Sequence, residues 1–119
     1  VLQCARFGDS IGVNGWPIEE HAAGTVVFRW PHDPAGRGYN QLPYRMLLPK
    51  RVDNLLVAGR CISATHEAQA SIRILPIVAT LGQAAGVAAA VSLRAGVAPR
   101  EADVAEIQRI LTREGAFIG

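Results

Sequence analysis

The apolar positions of this chain change period along its length. Residues 1–20 are short runs broken by Gly8, Gly12, Gly15 and Pro17, which predict turns and one short strand near Ser10 to Val13. Gly24-Thr-Val-Val-Phe-Arg-Trp30 gathers β-branched and aromatic residues and predicts a second strand. Pro31 to Gly38 has the Pro and Gly density of a loop, and Tyr39 to Leu42 reads as extended before Pro43. Tyr44 to Leu48 is too short to decide. Leu55-Leu-Val-Ala58 is an uninterrupted apolar run between the Asp53-Asn54 turn and Gly59, the pattern of a strand buried on both faces. Gly59 then releases the chain into a loop.

Residues 74–93 carry no charge and are built mainly from Ala, Gly and aliphatic residues between Arg73 and Arg94. They predict a long helix starting near Pro76, whose missing N–H costs nothing in a first turn, and ending near Leu93 or Arg94 with Gly96 as its cap. A second helix follows from Asp103, because Val104, Ile107, Ile110 and Leu111 recur every three to four residues, and Gly115 ends it. The long run has the length of a membrane span. Its Ala and Gly content and the central Gln83 favour instead a helix buried inside a larger α/β protein, so no membrane partner is expected.

Composition narrows the picture only slightly. A chain of 119 residues makes one domain at most and covers an all-apolar helix poorly by itself. The formal charge is +2, with eleven Arg and one Lys scattered rather than striped, so no nucleic-acid partner is expected. Cys4 and Cys61 form no CxxC, and His21, His32 and His66 lack metal-ligand spacing. No signal peptide opens the chain, and a cytoplasmic location is the expectation. The absence of an initiator Met carries the expectation that the chain lies inside a longer polypeptide.

The chemistry-bearing positions cluster around the strand–loop–helix at residues 55–93. Arg60 and Arg73 flank the loop, placed either to bind an anion or to pair with an acidic neighbour. His66 is the loop residue that titrates near neutral pH, and also an ordinary hydrogen-bonding loop histidine. Gly82 and Gly86 share a helix face with Gln83 beside them; close helix packing explains such a pair as readily as a ligand does. A helix beginning at Pro76 engages the N–H groups of Gly82 and Gln83, whereas one beginning near Leu81 leaves them free for a ligand.

LPYRMLLPK (42–50) followed by VDNLLVAGRCISATHEAQASIRILPIVATLGQAAGVAAAVSLRAG (52–96) resembles the C-terminal part of a family of FAD-dependent oxidoreductases with the glutathione-reductase-type flavoprotein fold. The resemblance runs from about Asp9 to about Gly115 and is densest from Leu42 to Gly96. It implies an α/β fold: the C-terminal fragment of a two-domain, Rossmann-like FAD-binding protein. Residues 1–50 would then hold substrate-domain strands, and residues 51–119 the end of the FAD domain, with one returning strand and two helices. It implies FAD as cofactor, with Gly59 and Arg60 near its phosphates or ribityl chain. Gly82, Gln83 and Ala84 would lie beside the isoalloxazine, and His66 and Arg73 on the catalytic, substrate-facing side. Related flavoproteins often carry Gly-Asp after the strand; Gly59-Arg60 stands here. The GxGxxG fingerprint is absent from the chain, so the implied partners are a missing N-terminal FAD-binding portion and a small-molecule substrate, and the segment alone is expected to be inactive. The competing expectation is a non-enzymatic domain that retains this signature and forms a homo-oligomer through uncovered apolar surface.

Overall fold

The computed structural model describes residues 1–34 and 36–119. The β-branched run folds as expected: β3 (Thr25–Arg29) lies within Gly24–Trp30. It pairs antiparallel with β2 (Ile18–Ala22), from Ile18 opposite Arg29 to Ala22 opposite Thr25. The Ala23-Gly24 turn between them has φ of 48° and 80°, the double left-handed geometry whose twist matches a tight hairpin. β1 (Ser10–Asn14) pairs antiparallel with β4 (Asn40–Pro43), with a register irregularity between Ser10 and Val13. A 3₁₀ turn at Tyr44–Leu47 follows β4 directly.

Among the described residues three α-helices follow, α1 (His66–Ile72), α2 (Leu75–Ala95) and α3 (Val104–Arg113), with a 3₁₀ turn at Pro99–Glu101 between the last two. α2 starts at Leu75 with Pro76 in its first turn. It stops at Gly96, whose φ of 66° admits the closing bonds Gly96 N–H to Leu93 O and Val97 N–H to Ser92 O. α3 begins where Asp103 accepts hydrogen bonds from the Ala105 and Glu106 N–H groups at 2.9 and 3.3 Å. The Ile107, Ile110 and Leu111 face of α3 packs on α2.

The core lies where α2 crosses β1 and α3, and it joins Ile11, Leu42, Leu47, Leu81, Ile107 and Leu111. Gly12 allows this crossing: a Cβ there would lie 2.5 Å from Thr80 Cγ2. The fold measures 50 × 31 × 19 Å, thin enough that α2 is covered along one side only. Ile77, Leu81, Ala84, Ala88 and Val91 are buried, while Ala79, Gly82, Gln83, Gly86, Ala90 and Leu93 are exposed. By length and composition α2 could cross a membrane, and the core helix of a soluble protein meets the same criterion.

The expectation of a Rossmann-like arrangement is overturned. Both sheets among the described residues are two-stranded and antiparallel. Leu55–Ala58, expected as the returning strand, forms no regular element and joins neither sheet. A strand exists only through a ladder, and the backbone bond tying this run to another segment is Val57 N–H to Leu47 O at 2.9 Å. Two further elements depart from expectation. β2 stands where turns were predicted, and α1 occupies the predicted loop, capped by Thr65, whose side chain accepts from the Ala68 N–H.

Candidate functional site

The loop after residue 58 turns on Gly59, at φ 89°. A Cβ there would meet Val78 Cγ1 at an ordinary 3.7 Å, so backbone conformation rather than space selects glycine. The exposed Arg60 that follows ties the loop to α1 at both levels. Its Nε donates to the Arg73 carbonyl at 3.0 Å, and its own carbonyl accepts from Gln69 Nε2 at 3.1 Å. Arg60 thus sits at the C-terminal end of α1, where a cation is favoured, with its remaining guanidinium N–H groups free of partners among the described residues. Cys61 donates weakly to the Ala58 carbonyl through Sγ at 3.2 Å and is a free thiol.

α2 begins beside this loop. Its N-cap, Ile74, offers no side-chain acceptor, so among the described residues the Leu75 and Ile77 amides have no side-chain cap, and Leu75 is 77% exposed. Because the helix starts at Leu75, Gly82, Gln83 and Ala84 lie about two turns inside it, and their N–H groups belong to the helix's own bonds. Gly82 and Gln83 face outward, whereas Ala84 is fully buried against the core. A Cβ on Gly82 or Gly86 would meet nothing within 4 Å. Gly costs about 1 kcal/mol relative to Ala inside a helix, so packing within this chain gives no reason for either glycine.

His66 and Arg73, at opposite ends of α1, line one open concavity of about 450 Å³ together with Glu19, Glu20, His21 and Gln69. Glu19 is its hub. Its Oε1 lies 3.2 Å from His21 Nε2 and 3.7 Å from Arg73 Nη2, and its Oε2 accepts from Trp16 Nε1 at 3.4 Å. Arg29 bridges Glu20 and Glu67 at 2.9 and 3.3 Å, and these hydrogen bonds, Glu20 first, raise its already basic guanidinium further. Arg60 and Arg73 meet through the bond from the Arg60 side chain to the Arg73 carbonyl, and His66 opens onto the concavity that Arg73 lines.

α1 is held in place from behind. Asn14 Nδ2 donates to Ser71 Oγ at 2.7 Å and to Asn40 Oδ1 at 3.1 Å; Ser71 Oγ donates to the Trp16 carbonyl at 2.7 Å, and Asn14 Oδ1 accepts from the Trp16 N–H at 3.1 Å. Asn14, Asn40 and Ser71 are all buried. Sequence reasoning weighed His21 only as a metal ligand and gave Glu19 and Trp16 no role, although Glu19-Glu20-His21 after Pro17 is a visible cluster. Among the described residues no group of three or more His, Cys, Asp or Glu is placed to hold a metal ion.

The family described as FAD dependent oxidoreductase matches residues 1–111, nearly the whole chain. The chain belongs to the FAD-dependent oxidoreductase family. No curated protein and no solved structure matches it. The donor set fits the cofactor this family name carries. An exposed guanidinium on Arg60, uncapped amides at the start of α2 and a left-handed glycine beside them suit a diphosphate or an electron-rich ring edge. The two outward glycines of α2 suit a flat group or a backbone approaching closely.

Proposed function

We propose that this chain supplies the flavin-side loop and helix of an FAD-dependent oxidoreductase, and that it is inactive without the remainder of the cofactor site. Gly59 and Arg60 hold the diphosphate or ribityl chain, Gly82 and Gln83 lie along the isoalloxazine, and His66 and Arg73 face the substrate. Ala84, buried, sets how closely α2 lies on the core. The observation that carries this reading is the pair Gly82 and Gly86, facing open space on the same helix whose first turn is uncapped beside Arg60.

When bound, FAD supplies the electron transfer; the protein supplies binding, orientation and electrostatics. Arg60 offers positive charge to the cofactor while its bond to the Arg73 carbonyl keeps the loop in register with α1. Arg73, whose guanidinium lies 3.7 Å from Glu19, offers its remaining donors to a substrate oxygen. His66 lines the same concavity and offers a ring nitrogen for a hydrogen bond to a substrate.

Native mass spectrometry of the gene product isolated from its own cells tests the reading. A polypeptide longer than 119 residues that retains one FAD, and loses it in Arg60→Ala and Gly82→Leu variants that stay folded by circular dichroism, is the expected result. A flavin-free 119-residue product overturns it. That outcome would favour the second reading, self-association of a non-enzymatic domain, for which the exposed Val26, Val27, Phe28 and Trp30 of the hairpin provide the surface.

A further inference from the structure

Two exposed tryptophans pack against each other next to the concavity's wall: neither lines it, but Trp16 is bonded to Glu19, which does. Trp30 is 62% and Trp16 37% exposed, although burying an indole is among the larger gains a fold can make. Their ring centroids are 6.3 Å apart and the planes are inclined by 57°, so they form two walls of a corner rather than a flat stack. Trp16 is tied into the polar cluster, donating from Nε1 to Glu19 Oε2 at 3.4 Å, while Glu19 also reaches His21 and Arg73. One carboxylate thus joins an aromatic corner to a concavity lined with hydrogen-bonding side chains.

The charges there are already partnered. Glu19 faces Arg73, and Glu20 and Glu67 share Arg29. An ionic ligand would have to displace one of these partners, and its own desolvation would then be poorly repaid. A neutral ligand rich in hydroxyls needs no such exchange: it donates to the carboxylates, accepts from Arg73 and Gln69, and lays its C–H face on an indole.

We propose that the substrate subsite of this chain takes a neutral carbohydrate ring, with Trp30 and Trp16 contacting its apolar face and Glu19, His21 and Arg73 its hydroxyls. This rests on the flavoenzyme reading for calling the ligand a substrate; the binding itself does not depend on flavin.

Isothermal titration calorimetry on the full-length polypeptide, with cellobiose, maltose, glucose and mannose as probes and choline and succinate as controls, decides it. Saturable binding of at least one sugar is expected, weakened about tenfold by Trp30→Ala and partly restored by Trp30→Phe, with flavin content equal in all three proteins. Trp30 is exposed, so its truncation leaves the fold intact. Heat from none of the four sugars, tighter binding of choline or succinate, or sugar binding indifferent to Trp30→Ala overturns the proposal. A flavin-free wild-type protein would defeat the flavoenzyme reading alone, and the calorimetry would still judge the carbohydrate site.

Discussion

Gly12→Val is expected to destabilise the fold by about 3 kcal/mol, the upper range for overpacking a tight core contact. Gly12 is buried, and its new Cβ would lie 2.5 Å from Thr80 Cγ2 and 3.6 Å from Leu42 Cδ1. Thr80 cannot simply turn away, because its hydroxyl is bonded to the Pro76 carbonyl at 3.0 Å and a β-branched side chain has few alternatives in a helix. β1 must therefore lift off α2, at the junction that organises the core. Thr80→Ser removes the clashing methyl and keeps the hydroxyl, so the double variant should recover part of the loss. Urea unfolding followed by circular dichroism measures both; an unchanged midpoint for Gly12→Val, or no recovery in the double variant, refutes the contact as described.

Asn14→Leu should cost a similar amount, about 3 kcal/mol, by a different route. The shape is nearly kept while the Trp16 N–H, Asn40 Oδ1 and Ser71 Oγ each lose a partner inside the protein. Because the three groups form one network, Asn14→Leu and Ser71→Ala together should cost less than the sum of the single losses, and additivity would argue against a shared network. Ser71 fixes the last turn of α1, so the same substitution should loosen Arg73 from Glu19 even where the fold survives.

The helices α2 and α3 were legible because their ends are written in local chemistry. Pro76 marks a first turn, Gly96 supplies the left-handed stop, and Asp103 caps the next helix. β3 was legible for a similar reason, since Val26, Val27 and Phe28 leave few alternatives to an extended chain. β2 was not, because Ile18-Glu-Glu-His-Ala22 has no strand preference of its own and is made a strand by its five paired positions with β3. α1 was hidden by its short length and by the expectation of a loop, although Thr65 was available as its cap. The failure of the parallel arrangement has the plainest cause. Leu55–Ala58 reads as a buried strand, but burial and pairing are relations with other segments, and this run finds no ladder here.

The candidate site divides along the same line. The Gly59 turn after residue 58 and the shared helix face of Gly82 and Gly86 were readable from the loop-and-helix pattern; that Gly82 and Gln83 face outward comes from the packing of α2. The helix start at Leu75 removed their N–H groups as ligands and turned Ala84 into the core. The concavity around Glu19 was not readable, because it needs β2 to lie against α1, a contact between residues nearly fifty positions apart in sequence.

The two-sidedness of α2 means that one helix answers to two kinds of selection at once. Positions 77, 81, 84, 88 and 91 are constrained by this chain's own stability, while 79, 82, 86, 90 and 93 are set by whatever approaches from outside. Substitutions scanned along the helix would therefore trace two waves of the same period and shifted phase, one read as loss of folded protein and the other as loss of function in protein that still folds.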